Sequence, residues 1–257
     1  MKFQGILLCS DFDGTLRVTP ENIRALEYFI ANGGCFTMAS GRYPTHFRDA
    51  VKGLPLTAPV VALNGNVIYD LNTDEILWSN PMPDSLAEEV VRFTAENYDD
   101  FEMHINYVNG GITFTPKDGD TLEATLRAMR EDKPSGSPLK FHIIHRPKIP
   151  AEMRAAYETL FPQFTVTTSS WAGLELYLPA GGKGNAIREL RRMLLPDIHT
   201  VVGVGDWEND LCMIKYADIG YAVANACDEM KAAADRVTVD HLDNAIAKII
   251  EDLDKEF

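Results

Sequence analysis

Two aspartates separated by a single residue follow the first apolar segment of the chain. The stretch CSDFDGTL places Asp11, Asp13 and Gly14 directly after the apolar run GILL. A change of chain direction needs only one Asp or Gly, so a second carboxylate has no conformational reason to be there. The spacing therefore indicates a chemical role for this turn as well as a structural one.

Polar residues also follow other apolar segments that are predicted to be strands. They are Ser40, Gly41 and Arg42 after CFTMA, Asn64 and Gly65 after PVVAL, and Asp206, Asn209 and Asp210 after TVVGVG, with Lys183 at the start of the helix before that last strand. In a parallel α/β sheet, ligands bind beyond the carboxyl ends of the strands. We therefore expect these side chains to converge with the two aspartates on one site.

The carboxylates of this predicted site indicate a bound cation, because clustered carboxylates repel each other unless a cation joins them. A few aspartate oxygens, completed by waters and a phosphate, are typical of Mg²⁺ rather than of an all-protein Ca²⁺ cage. An EF-hand starting at Asp11 would need Gly and Glu at the positions of Leu16 and Asn22. A Walker-A loop at GGKG is excluded as well, since Gly184 stands where Ser or Thr would bind the metal.

The elements that must position these residues follow from the apolar pattern. In the first third and in the C-terminal part, continuous apolar runs alternate with helical segments, which indicates a parallel sheet covered on both faces, a doubly wound α/β core. Between them, mixed helices and alternating strands predict an α+β insertion. We place the core at 1–81 and 181–257 and the insertion at 82–180, with Ser85 and Glu88 spaced as a capping box at its first helix.

Composition and charge limit the classes of partner. The chain has 257 residues and a formal net charge of -14, without a dense Lys/Arg run, which argues against nucleic acid or an anionic membrane as the main partner. No apolar run approaches the roughly 18 residues of a membrane span. The N-terminal MKFQGILLCSD is too short and too acidic at its end for a signal peptide. We expect a cytoplasmic protein, a monomer or a homodimer.

Four segments, in order, resemble the motifs of the haloacid dehalogenase (HAD) superfamily: DFDGTL, SGR, GKG and GDWENDLCM. LNGN and the late NA at Asn225-Ala226 resemble its Cof-type phosphatases, which carry a type IIB cap between the second and third motifs. The resemblance implies a Rossmann-like core with an α+β cap domain that selects the leaving group. It also implies a Mg²⁺-dependent phosphatase for small phosphorylated metabolites, with sugar phosphates first among them.

The resemblance also implies a role for each matched residue. Asp11 would be the nucleophile, Asp13 the general acid and base, Ser40 a hydrogen-bond donor to a phosphoryl oxygen and Lys183 the neutralising cation. The carboxylates of Asp11 and Asp206 and the backbone carbonyl of Asp13 would hold Mg²⁺, with Asp210 orienting the groups around it. Gly41, Arg42, Asn64 and Asn209 would contact the substrate.

Two other functions remain open at this point. A phosphomutase of the same architecture would return the phosphoryl group to the substrate, and a non-catalytic phosphometabolite-binding protein would keep only the fold. In the insertion, His142 and His145 are expected on opposite faces of a strand, which excludes a joint metal site. For His104 and Trp171, core packing is favoured over contact with a substrate.

Overall fold

The computed structural model describes residues 1–257, with the exception of the side chain of Leu194. The strands are β1 (Ile6–Ser10), β2 (Cys35–Met38), β3 (Val60–Ala62), β4 (Val67–Asp70), β5 (Glu75–Ser79), β6 (Glu102–Tyr107), β7 (Gly110–Phe114), β8 (Lys140–Ile144), β9 (Thr165–Ser170), β10 (Gly173–Tyr177), β11 (Thr200–Gly205), β12 (Ile219–Ala222) and β13 (Arg236–Val237). The α-helices are α1 (Pro20–Ala31), α2 (Pro44–Ala50), α3 (Asp84–Asn97), α4 (Leu122–Glu131), α5 (Ala151–Leu160), α6 (Lys183–Leu194), α7 (Leu211–Tyr216), α8 (Asp228–Ala233) and α9 (Ala245–Glu256). None of the described helices is long and apolar enough to cross a bilayer.

The chain divides into two compact units. Unit 1 comprises Met1–Arg42, His46–Trp78 and Gly182–Phe257, and unit 2 comprises Tyr43–Thr45 and Ser79–Gly181. Unit 1 contains a parallel five-stranded sheet in the order β13-β12-β11-β1-β2. The non-sequential order and the helices between the strands confirm the predicted doubly wound α/β fold.

The register of the two central strands decides where the acidic residues lie. β1 pairs with β11 in parallel, with Ser10 opposite Val204. Both strands are buried along almost their whole length because their side chains, such as Leu7 and Val202, are apolar on both faces. Asp11 and Asp206 therefore leave the sheet at the same edge, beyond the carboxyl ends of adjacent strands.

The apolar segment that forms β3 was predicted to be a strand of the parallel sheet, and the structure places it in a different sheet. It pairs antiparallel with β4 in a separate three-stranded sheet, β3-β4-β5. It reaches the end of β2 through a parallel bridge between Ala39 and Val61, and the N–H of Ser40 donates to the Val61 carbonyl at 2.9 Å. The segment after β3 consequently still lies beside the segment after β2, although the sheet itself has changed.

Unit 2 has an antiparallel five-stranded sheet in the order β7-β6-β8-β10-β9. Apolar residues of one face, including Met103, Phe141 and Leu174, form a core with residues of α3, α4 and α5. On the other face, the His104 and His142 rings stack with their centroids 5.9 Å apart. The prediction of core packing is wrong for Trp171. Its side chain is 65% exposed and lies against the ammonium of Lys148.

A buried ion pair joins two central strands of unit 2. Lys140 Nζ lies 2.7 Å from Glu175 Oε2, and the two residues are 3% and 2% exposed. Although burial alone raises the pKa of Glu175, the Lys140 ammonium lowers it below its ordinary value. Because the folded pKa lies below the unfolded one, this carboxylate contributes stability above the unfolded pKa of about 4.3 and loses it as the pH falls further.

We expect Glu175→Gln to lower the free energy of unfolding by about 3–5 kcal/mol, because it removes the carboxylate that neutralises a buried ammonium. Chemical denaturation at pH 7, followed by circular dichroism, measures this change. The double variant Lys140→Met/Glu175→Leu is the control, since apolar replacement of both partners of a buried pair is often nearly neutral. A single variant as stable as the wild type would contradict the expectation.

Candidate active site

Three carboxylates of unit 1 lie close together at the edge of the sheet. Oxygens of Asp11, Asp206 and Asp210 all lie within 4.8 Å of one another. Asp11 and Asp206 come from the ends of β1 and β11, and Asp210 lies in the 3₁₀ turn before α7. Asp11 and Asp210 are buried, so water screens their repulsion poorly.

Lys183 lies between two of these carboxylates. It is the first residue of α6 and is 0% exposed, and its Nζ lies 2.5 Å from both Asp11 Oδ1 and Asp210 Oδ1. Burial by itself lowers the pKa of Lys183, but the charges of Asp11 and Asp210 raise it above its ordinary value. The ammonium is therefore held in its charged form beside both acids.

One ammonium does not neutralise three carboxylates. Burial raises the pKa of Asp11 well above its usual range, and the charges of Asp210 and Asp206 raise it further against the opposite effect of Lys183. Burial, reinforced by the charge of Asp210, raises the pKa of Asp206 to about 6. Excess negative charge enclosed among hard oxygen donors is the environment that a divalent cation stabilises, so these residues fit a metal site.

Gly14 allows the turn after β1 to pass next to Asp206. Its φ is +85°, and an added Cβ would lie 2.5 Å from Asp206 Oδ2. Only glycine meets both conditions, a left-handed backbone and a close approach to a carboxylate. The next residue, Thr15, donates its hydroxyl to Asp206 Oδ1 at 3.0 Å and so fixes that carboxylate beside the turn.

Asp210 orients its neighbours through both of its oxygens. Oδ1 contacts Lys183, while Oδ2 accepts the backbone N–H groups of Asp206 at 3.0 Å and Trp207 at 3.3 Å. These bonds fix the chain as it leaves β11. Because both oxygens are already engaged, Asp210 is better suited to positioning Lys183 and Asp206 than to supplying a cation ligand.

The carboxylate of Asp13 pairs with Arg42 instead of joining the group formed by the other three acids. Arg42 donates to it from Nε at 2.9 Å and from Nη2 at 2.6 Å, and the Arg42 guanidinium lies 4.9 Å from the centroid of the Phe12 ring. The Asp13 side chain is 59% exposed. It is therefore separate from the buried acidic cluster and accessible to a molecule arriving from solvent.

The remaining predicted site residues lie after β2, after β3 and before α7. Ser40 is buried, and its Oγ accepts the backbone N–H of Arg42 at 3.3 Å; Gly41 lies between these two residues. Asn64 and Asn209 are buried, and Asn209 Nδ2 donates to Asn64 Oδ1 at 3.1 Å. The structure thus makes these two asparagines each other's partners, an arrangement that their spacing in the sequence does not indicate.

The side chains of Thr15 and Asn225 contact this site but were not among the predicted ones. Thr15 touches Asp206, and Asn225 donates to the backbone of Gly14. Both lie within motifs that the sequence analysis singled out, DFDGTL and the late NA. That position in a motif was the available signal, but which group each side chain contacts depends on tertiary structure.

Comparisons with known proteins agree with this fold. The family model for haloacid dehalogenase-like hydrolases matches residues 8–250. The chain is 24% identical to pyridoxal phosphate phosphatase YbhA of Escherichia coli (strain K12), over 95% of this chain and 97% of that protein. It is 25% identical to 5-amino-6-(5-phospho-D-ribitylamino)uracil phosphatase YcsE of Bacillus subtilis (strain 168), over 95% of this chain and 94% of that protein. The solved structure of the HAD subclass IIB sugar phosphatase BT4131 superimposes with a TM-score of 0.76 at 18% identity, over 96% and 98% of the chains.

The fold and the family model together identify the class of protein. The chain belongs to the haloacid dehalogenase-like hydrolase family, whose model covers most of its length. It is an enzyme of the phosphatase type.

Proposed function

We propose that the protein is a Mg²⁺-dependent phosphatase that prefers sugar phosphates. The observation that carries the proposal is the position of Lys183 between Asp11 and Asp210, with Asp206 beside them. A buried ammonium next to a carboxylate nucleophile and a cation site suits the transfer of a dianionic phosphoryl group, which requires little beyond positioning and neutralisation.

Asp11, Asp206 and the backbone carbonyl of Asp13 are the proposed cation ligands. Burial, reinforced by the neighbouring carboxylates, raises the pKa values of Asp11 and Asp206. A bound cation would stabilise their ionised forms, which supports this assignment. Mg²⁺ prefers few protein oxygens and keeps several waters, and when bound it neutralises charge on the phosphoryl oxygens. The carboxylate of Asp13 is not needed as a ligand and is left for proton transfer.

The proposed reaction has two steps. In the first, a carboxylate oxygen of Asp11 attacks phosphorus, the bond to the leaving oxygen breaks, and Asp13 donates a proton to that oxygen. In the second, a water attacks the aspartyl-phosphate while Asp13 accepts its proton, which releases phosphate and restores Asp11. Lys183 neutralises charge in both steps, and Ser40 donates a hydrogen bond to a phosphoryl oxygen.

Arg42 has a double role in this proposal. Its two hydrogen bonds orient the carboxylate of Asp13, which belongs to the turn after β1. A guanidinium is also the donor best suited to a phosphate or a polar leaving group, so Arg42 and Gly41 are assigned to the substrate side. Asn209, oriented by Asn64, is assigned to the phosphate through its remaining amide hydrogen.

The preference for sugar phosphates is proposed from the relatives. One relative is named for a phosphorylated ribitylamino compound, which contains a sugar alcohol chain. As part of the proposal, the insertion at 82–180 is the cap that selects the leaving group. The enzyme is proposed to act in the cytoplasm as a monomer or homodimer.

Release of inorganic phosphate from p-nitrophenyl phosphate and from a panel of sugar phosphates tests the proposal. We expect turnover with Mg²⁺, loss of turnover with EDTA and recovery when Mg²⁺ is added back in excess. The best sugar phosphate should exceed the aryl phosphate in kcat/KM. Isomerised product without free phosphate would instead identify a phosphomutase, and binding without turnover would identify a phosphometabolite-binding protein.

A further inference from the structure

Asn225 connects two chain segments of unit 1 that are distant in sequence. Its Nδ2 donates to the backbone carbonyl of Gly14 at 2.8 Å, and its Oδ1 accepts the backbone N–H of His241 at 3.0 Å. The residue itself is exposed. Water could satisfy the polar atoms of an exposed asparagine without fixing its side chain. Because both polar atoms of Asn225 instead bond to backbone groups, this side chain links the two segments to which those groups belong.

The segment around Asn225 is attached to Asp206. The backbone N–H of Cys227 donates to the Asp206 carbonyl at 2.9 Å. The bond from Asn225 to Gly14 therefore joins the segment that holds Asp206 to the turn that follows β1. These are the two segments that contribute the proposed cation ligands.

The turn after β1 and the segment that holds Asp206 are packed closely, so neither can move without displacing the other. A Cβ on Gly14 would lie only 2.5 Å from Asp206 Oδ2, so the backbone of the turn passes close to this carboxylate, and the Thr15 hydroxyl donates to its Oδ1 at 3.0 Å. A shift of the Gly14 backbone would change the spacing between Asp11 and Asp206. A cation that demands near-ideal octahedral geometry is sensitive to such a change.

We propose that Asn225 is a positioning residue for the cation site, acting through the Gly14 carbonyl to hold the turn after β1 against Asp206. This inference rests on the proposed function, because it takes the cation to be Mg²⁺. Asn225 contacts neither the substrate nor the cation. Removing its side chain should weaken Mg²⁺ binding and leave the chemical step largely intact once Mg²⁺ is saturating.

The test measures Mg²⁺ binding to the metal-free full chain by isothermal titration calorimetry, and kcat for p-nitrophenyl phosphate as a function of Mg²⁺. Asn225→Ala should raise the Mg²⁺ Kd about tenfold, at the lower end of the effect of residues that orient metal ligands. Its kcat at saturating Mg²⁺ should stay within about threefold of the wild type. Asn32→Ala is the matched control, because Asn32 Nδ2 makes a comparable 2.9 Å bond to the Tyr28 carbonyl elsewhere in unit 1.

A second variant separates the two bonds of Asn225. Asn225→Asp keeps an acceptor for the His241 N–H but places an oxygen against the Gly14 carbonyl. It should bind Mg²⁺ more weakly than the wild type, whereas its added negative charge alone would tighten binding. Wild-type affinity in Asn225→Ala, or tighter binding in Asn225→Asp, would overturn the inference. A wild-type protein that binds Mg²⁺ but releases phosphate from neither the aryl phosphate nor any sugar phosphate of the panel would overturn the proposed function instead.

Discussion

Asp11→Asn should reduce kcat by about 10⁴-fold or more, because the amide cannot attack phosphorus and an enzyme that loses its nucleophile retains only binding and electrostatic stabilisation. The fold should tolerate the change. Burial and neighbouring carboxylates raise the pKa of Asp11, so the ionised group is disfavoured in the absence of a cation. Steady-state release of phosphate and a thermal melt in EDTA measure the two effects.

Asp70→Asn is the matched control for this prediction. Asp70 also ends a strand of unit 1, and its Oδ1 accepts the backbone N–H of Asn72 at 2.8 Å, outside the candidate site. It should keep wild-type turnover. An Asp11→Asn protein that is folded and retains more than about one hundredth of wild-type kcat would contradict the assignment of Asp11 as nucleophile.

Lys183→Met should lower kcat by about 10³-fold and also destabilise the protein. The loss of rate follows from removing a preorganised positive charge next to the transferred phosphoryl group. The loss of stability, about 3–5 kcal/mol, follows because Asp11 and Asp210 then lack the ammonium that contacts both of them. Phosphate release and denaturant unfolding without metal measure these effects.

The double variant Lys183→Met/Asp11→Asn separates the two effects. Removing one carboxylate together with the ammonium should recover part of the stability that Lys183→Met loses, while turnover falls at least as low as in Asp11→Asn. Lys215→Met, at an exposed position in the last turn of α7, controls for the substitution itself and should behave like the wild type. A Lys183→Met protein of wild-type stability would show that this ammonium does not offset carboxylate repulsion.

Parts of the fold were predictable because local patterns carry them. Continuous apolar segments between helices predict a parallel sheet, and β1 and β11 indeed lie side by side in it. The pattern could not place β3, since a short apolar strand suits either sheet. Its antiparallel pairing with β4 depends on the close return of the chain between them.

Other errors arose where a side chain has a choice of partners. Ser85 and Glu88 are spaced as a capping box, but α3 begins at Asp84 after Pro83, without a side-chain capping bond. Glu88 instead forms an ion pair with Arg130 of α4. For Trp171, core packing was favoured over contact with a substrate, yet the side chain lies exposed beside Lys148. Local spacing gives no information about such competing partners.

The sequence by itself predicted the class of chemistry through its resemblance to the HAD motifs. That resemblance can be read from the sequence because the residues of each motif are contiguous and the strand that precedes each one is visible as an apolar run. Tertiary structure alone decided how the motifs meet: Lys183 between Asp11 and Asp210, Asp13 with Arg42, and Asn225 against Gly14. The last of these contacts joins residues 211 positions apart. Such contacts arise from the packing of whole elements, and no local periodicity encodes them.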